Sequence, residues 1–225
     1  MTPELHLVTT DHTEEGPFSA GAPLPRRLPP GRHGIPANLV VEHQRRRLLA
    51  AMAKALAEHG YANVTAGHVS DGASVSSSTF YKHFGNLWDC VLAAYVSSAN
   101  RLCEQIELAC AAAAPHADPL VVGVDAGLSF FASEPDVAQL LSAQAPREAS
   151  AIAAARRILI SRLAAMLRRG RGPDESTLQP PGLDERLIDA TLAFVFTRIS
   201  SGKAGRLVDL APELTAILER PRRAA

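Results

Sequence analysis

Residues 65–84 read Thr-Ala-Gly-His-Val-Ser-Asp-Gly-Ala-Ser-Val-Ser-Ser-Ser-Thr-Phe-Tyr-Lys-His-Phe, and they restrict the fold more than any other stretch. Gly72 and Ser74 flank a break, and neither side alternates like a strand, so the spacing predicts two short helices joined by a tight turn. Thr65 and Ser76 stand where N-caps are needed. Phe80 and Phe84 lie four apart on one face and should plug a small core with Leu56, Val69 and Val75. That leaves the outer side of the second helix, Ser77–His83, to Ser77, Ser78, Thr79, Tyr81, Lys82 and His83. Small hydroxyls followed by an aromatic-basic group suit the DNA major groove, where base edges and phosphates offer hydrogen-bond partners.

Each of these residues also has a plainer reading. Ser76 reads as a helix cap before it reads as a base contact. Tyr81 can pack, Lys82 can be a solvated surface charge, and His83 can be a half-buried histidine with its own partners. Phe80, Phe84, Val69 and Val75 are core residues in any reading.

The rest of the chain reads as helix. Leu48, Leu49, Met52, Ala53 and Leu56 recur at helical spacing up to Gly60, a stop signal, which predicts a first helix over about 40–59. Asn86 can cap a long fourth helix running to about Ala113, ended by Pro115 and Pro119. Helices follow over Pro119–Ser133, Pro135–Gln144, Arg147–Arg169, Asp184–Ser201 and Leu207–Arg220, with a Gly/Pro-rich loop at 170–182. No strand signal and no internal repeat is present. The apolar fraction is 47% with 5% aromatics, so Ala and Leu dominate it, which favours helices. The predicted class is all-α: a disordered tail over 1–37, a three-helix helix-turn-helix domain over 38–86, and a second helical domain over 87–220.

Charge adds detail. Lys+Arg and Asp+Glu both total 23, so net charge does not point to nucleic acid. Its distribution does. Residues 26–47 hold six arginines (Arg26, Arg27, Arg32, Arg45, Arg46 and Arg47) against the single acid Glu42. Arg45, Arg46 and Arg47 at the first helix can grip a phosphate backbone, or the segment can be a solvated tail with seven of the sixteen prolines in residues 1–36.

Several classes are disfavoured. No G-x-S-x-G turn, H-E-x-x-H pair or phosphate loop appears, so the chain does not read as an enzyme. Cys90, Cys103 and Cys110 form no C-x-x-C pair and no metal-like grouping, so neither metal nor cofactor is expected. An odd cysteine count without a secretory signal fits a reducing cytoplasm. Asp125 interrupts the best apolar run, Leu120–Phe131, so no membrane span is expected.

Gly60-Tyr61, Val64-Thr65, Val69, Val75-Ser76, Thr79-Phe80-Tyr81-Lys82-His83-Phe84 and Asn86 together resemble the amino-terminal domain of the tetracycline-repressor (TetR) family of transcriptional regulators, over residues 41–95. The resemblance implies that Tyr81 and His83 touch the DNA backbone, and Thr65 begins a helix whose free N–H groups suit a phosphate. It also implies a symmetric homodimer on a double-stranded operator and a pocket for a small-molecule effector. Three positions depart from the pattern. Ser74 stands where the turn usually has Gly, which requires either a positive φ or another geometry. Leu87 stands in place of a phosphate-contacting Lys. Ser70 replaces Ala.

The last two helices carry apolar stripes, Leu187, Ile188, Leu192, Val195, Ile199 and Leu210, Leu214, Ile217, Leu218, which can form a four-helix interface across residues 184–220 or face the chain's own core. Candidate pocket residues are Cys103, Ile106, Leu128, Phe131, Leu141 and Met166, each of which can equally be plain core. The expected function is a ligand-released repressor. The alternative is a helical scaffold or corepressor without DNA binding.

Overall fold

The computed structural model describes residues 36–142, 150–171 and 180–223, and every regular element among them is helical. The elements are α1 (Ala37–Asn63), α2 (Ala66–Gly72), α3 (Ser77–His83), α4 (Leu87–Ala112), α5 (Pro119–Ser133), α6 (Pro135–Ser142), α7 (Ser150–Arg171), α8 (Leu183–Ser200) and α9 (Ala211–Arg223). Two short 3₁₀ turns, Ala204–Arg206 and Val208–Leu210, precede α9. The expected tail, the ends at Gln144 and Arg147, and most of the 170–182 loop lie outside the described residues.

The sequence punctuation works as anticipated. Gly60 takes φ 69°, ψ 171°, which ends the regular part of α1 and leaves one further turn to Asn63. Thr65 Oγ1 accepts from the His68 amide, Ser76 Oγ from the Thr79 amide and Asn86 Oδ1 from the Asp89 amide, capping α2, α3 and α4. Asp118 caps α5 through the Leu120 amide, with Pro119 at the first helical position.

Packing divides the chain into two units, Met1–Arg46 and Arg47–Ala225. In the first, the described residues form the opening turns of α1, with an exposed Glu42–Arg46 ion pair at 3.8 Å. In the second, one apolar core runs from Leu48 to Leu218. Cys90, Val91, Ala94 and Tyr95 at the start of α4 are buried in the same core as Phe80 and Phe84. Further along, α4 packs on α5 and α7, α7 packs on α8, and α9 packs on α5.

One expectation is corrected here. Ile188, Leu192, Val195 and Ile199 on α8, and Leu214 and Leu218 on α9, are at most 9% exposed within the single chain. The stripes face the chain's own core. Period alone identifies an apolar face and not the surface that covers it. What α8 turns outward is Asp189, Ala190, Ala193 and Thr197.

Candidate nucleic-acid interface and effector cavity

α3 is a seven-residue helix held from one side. Phe80 is wholly buried and Phe84 nearly so, with ring centroids 5.6 Å apart. This anchor leaves Ser77, Ser78, Tyr81 and Lys82 exposed, with Thr79 and His83 half-buried. Tyr81 is 59% exposed, and its ring meets the Phe80 ring edge-on at 5.2 Å. Ser76 Oγ lies 2.9 Å from both Ser78 Oγ and Thr79 Oγ1 besides capping the helix. Its hydroxyl is engaged locally, as the capping reading anticipated.

The α2–α3 turn answers the question posed by Ser74. Its φ is 50°, the one positive value on a non-glycine residue among those described. Glycine is usual in this left-handed region because a Cβ crowds the following carbonyl. The turn is secured from outside itself. The Arg47 guanidinium donates to the Ala73 carbonyl and, at 3.3 Å, to the Ser74 carbonyl. Arg47, expected on a phosphate, thus ties the body of α1 to the turn that aims α3. This role escaped the sequence reading because the partners are 26 and 27 positions apart and are backbone atoms.

The start of α4 is also occupied. Asn86 Nδ2 donates to Asp89 Oδ2 at 3.0 Å, so a carboxylate sits in the first turn, where it complements the helix dipole. With Leu87 in place of a lysine, this helix start presents negative charge where a phosphate contact was considered.

Tyr61 on α1 and Tyr95 on α4 each bury a phenol hydroxyl. Tyr61 stacks on Trp88 at 5.9 Å. The Tyr61 hydroxyl is buried without a hydrogen-bond partner, while the buried Tyr95 hydroxyl lies against the Arg156 side chain. Burial and the neighbouring Tyr95 push the Tyr61 phenol up to about 12. Burial also raises the Tyr95 phenol, with the nearby Arg156 opposing the shift. Arg156 in turn donates to Asp189 on α8 at 2.7 Å.

A cavity of about 410 Å³ opens among α4, α5, α7, α8 and α9. Of the residues expected to line it, Ile106, Leu128, Phe131 and Met166 do. Cys103 and Leu141 do not; they are 0% and 1% exposed and belong to the core. Sequence reasoning missed Cys110 and the polar residues Glu107, Arg169 and Thr191 on the wall. Arg169 donates to Glu107 at 3.4 Å, both largely solvent-exposed, while the rest of the lining is almost wholly apolar. Burial raises both Cys103 and Cys110 thiols, which keeps them protonated and less reactive. Arg101, Gln105 and Asp125 are exposed, and Arg101 pairs with Glu134. Among the described residues no three His, Cys, Asp or Glu side chains gather as a metal site, and no helix is long and apolar enough to cross a membrane.

Residues 48–94 match the sequence model of the family described as bacterial regulatory proteins, tetR family. Those residues carry the amino-terminal domain of the tetR family. The match spans the described helices from the buried part of α1 to the first turns of α4, including the capped turn and α3. No curated protein matches the chain. Solved tetR-like folds do. The fatty acid degradation regulator FadR from Bacillus halodurans superposes with a TM-score of 0.64 at 22% identity, covering 78% of this chain and 94% of that one. FadR from Bacillus subtilis, solved in complex with stearoyl-CoA, gives 0.62 at 21%, covering 77% and 96%. A Syntrophomonas wolfei protein described as a TetR-family transcriptional regulator gives 0.63 at 14%, covering 80% and 96%. These likenesses establish that the tetR fold continues past α4 through the cavity helices.

Proposed function

We propose that this protein is a homodimeric repressor whose operator affinity falls when the cavity fills. The observation that carries the proposal is continuity. α3 is seated by Phe80 and Phe84 in the same core that α4 carries, over about 22–29 Å of helix, to the cavity wall at Leu102 and Ile106. A ligand that wedges α4 outward at Ile106 shifts the seat of α3. In a dimer this changes the spacing of the two reading helices, and a palindromic operator tolerates only a spacing near one helical turn, about 34–36 Å.

On DNA, Ser77, Ser78 and Thr79 are proposed to approach base edges, with Tyr81, Lys82 and His83 on the flanking phosphates. Thr65, Ser76 and Arg47 then act chiefly by holding α2, α3 and the turn. Arg45 and Arg46 lie in the other unit, and their phosphate contacts are proposed on charge alone. The dimer is proposed through α8 and α9, but by the outward faces, where Ala190, Ala193, Thr197 and Ala216 permit close approach.

The cavity's apolar lining, with Arg169 and Glu107 on its wall, suits a ligand with a long apolar body and a polar head. The stearoyl-CoA bound by Bacillus subtilis FadR has that form, so a fatty acyl chain is the proposed class. The test has two parts: genomic fragments retained by the purified protein are sequenced, and binding to the recovered site is then titrated with acyl-CoA thioesters. Release of DNA by a long-chain thioester is expected. Unchanged DNA affinity at saturating thioester overturns the acyl reading, and failure to retain any fragment overturns DNA regulation.

A further inference from the structure

Two glycines inside α5 have no packing or backbone reason to be glycine. Gly123 and Gly127 stand one helical turn apart, and both line the cavity. Neither has a positive φ, so the backbone does not require them. A Cβ on Gly123 would lie 3.6 Å from Ile106 Cγ2 and 3.8 Å from Cys110 Sγ; one on Gly127 would lie 3.6 Å from Ile106 Cδ1. Those are ordinary van der Waals separations. Gly72 differs: its Cβ would come within 3.3 Å of Ala51 Cβ, a close helix approach that accounts for the glycine. At 123 and 127 alanine fits and would favour the helix, because glycine loses more backbone entropy on folding. What alanine removes is space in the cavity.

We infer that Gly123 and Gly127 are the specificity determinants of the cavity: their bare backbone forms the floor along which an extended acyl chain lies, and their missing methyl groups set the length of chain admitted. This rests on the reading of the cavity as the effector site. Each methyl group would project beside Ile106 on the cavity wall, so two methyl groups one turn apart shorten the floor for long chains and spare short ones.

The test compares Gly123→Ala, Gly127→Ala and the double variant with the natural protein. Each alanine should raise the unliganded melting midpoint by about 2–4 °C. A fall in the midpoint of either single variant overturns the inference, since the glycine would then be serving α4–α5 packing. The double variant should bind stearoyl-CoA about tenfold or more weakly while keeping decanoyl-CoA affinity within about threefold. Equal losses for both chains, or no loss for either, overturn it. If the natural protein binds neither thioester, the acyl reading fails, and the floor is probed with anilinonaphthalene sulfonate instead. Weaker dye binding by the double variant then supports the two glycines as size determinants, and unchanged binding overturns them.

Discussion

Replacing Ser74 by glycine tests whether the turn between α2 and α3 holds strain. Ser74 sits at φ 50° and is exposed, so its side chain contributes little burial to offset the conformation. A residue with a Cβ in this region costs about 1–2 kcal/mol relative to the right-handed alternative. Glycine removes that cost but gains freedom in the unfolded chain, which returns about 0.4–1 kcal/mol. The Arg47 bonds go to the Ala73 and Ser74 carbonyls, and the Ser74 amide donates to Asp71 O at 2.9 Å, so all of them survive the substitution. The net expectation for Ser74→Gly is a gain of about 0.5–1 kcal/mol, or about 1–4 °C in midpoint for a chain of this size. Ser74→Asn should fall between, because asparagine tolerates the left-handed region, and Ser74→Ala should gain nothing. The assay is urea unfolding followed by circular dichroism, with thermal melts alongside. Identical stabilities across glycine, asparagine, serine and alanine would refute the strain argument, as would a glycine variant below the natural protein.

Other expectations follow from the same geometry. Arg47→Ala strips two turn carbonyls of their charged donor and should destabilise by about 1–3 kcal/mol, while the slope of log affinity against log salt stays unchanged; a slope shallower by about one per subunit would restore Arg47 to the phosphate contacts. Asp89→Asn removes a carboxylate from the proposed DNA face and should tighten operator binding about two- to fivefold at low salt, an effect that fades as salt rises. The folded Tyr61 phenol holds its proton up to about 12 against an ordinary 10, so the folded state retains a proton the unfolded chain loses, and stability drops as pH rises from 10 to 12. Tyr61→Phe should be near neutral at pH 7, since the hydroxyl has no partner, and should raise the midpoint of alkaline unfolding; an unchanged alkaline midpoint contradicts this. Ala193→Glu places charge on the proposed dimer face without touching the core, and sedimentation should show monomers where the natural chain gives dimers.

What the sequence made legible was local. Gly60, Thr65, Ser76, Asn86 and Pro119 act on backbone within four residues, so their roles can be read without knowing the fold. The seating of α3 was legible for the same reason: Phe80 and Phe84 are one turn apart, and burying them decides which side chains stay outside. Roles set by distant partners were not legible. Arg47 looked like one of three equivalent arginines until its carbonyl partners were placed beside it. The stripes of α8 and α9 were correctly apolar, but a period carries no information on whether a partner chain or the chain's own core lies opposite, and the core does. The cavity mixed both cases. Four of six lining residues were found, but Glu107 and Arg169 were overlooked, since charged residues on long helices ordinarily read as solvated surface.

The central claim is that the exposed side of α3 distinguishes one duplex from another. Its most direct test is the ratio of affinities for the recovered operator and for a scrambled duplex of equal length, measured by fluorescence anisotropy at one fixed salt concentration without added ligand. The account predicts a ratio of about a thousandfold or more, reduced by Ser77→Ala with Ser78→Ala while the salt slope is unchanged. A ratio near one in the natural protein would contradict it.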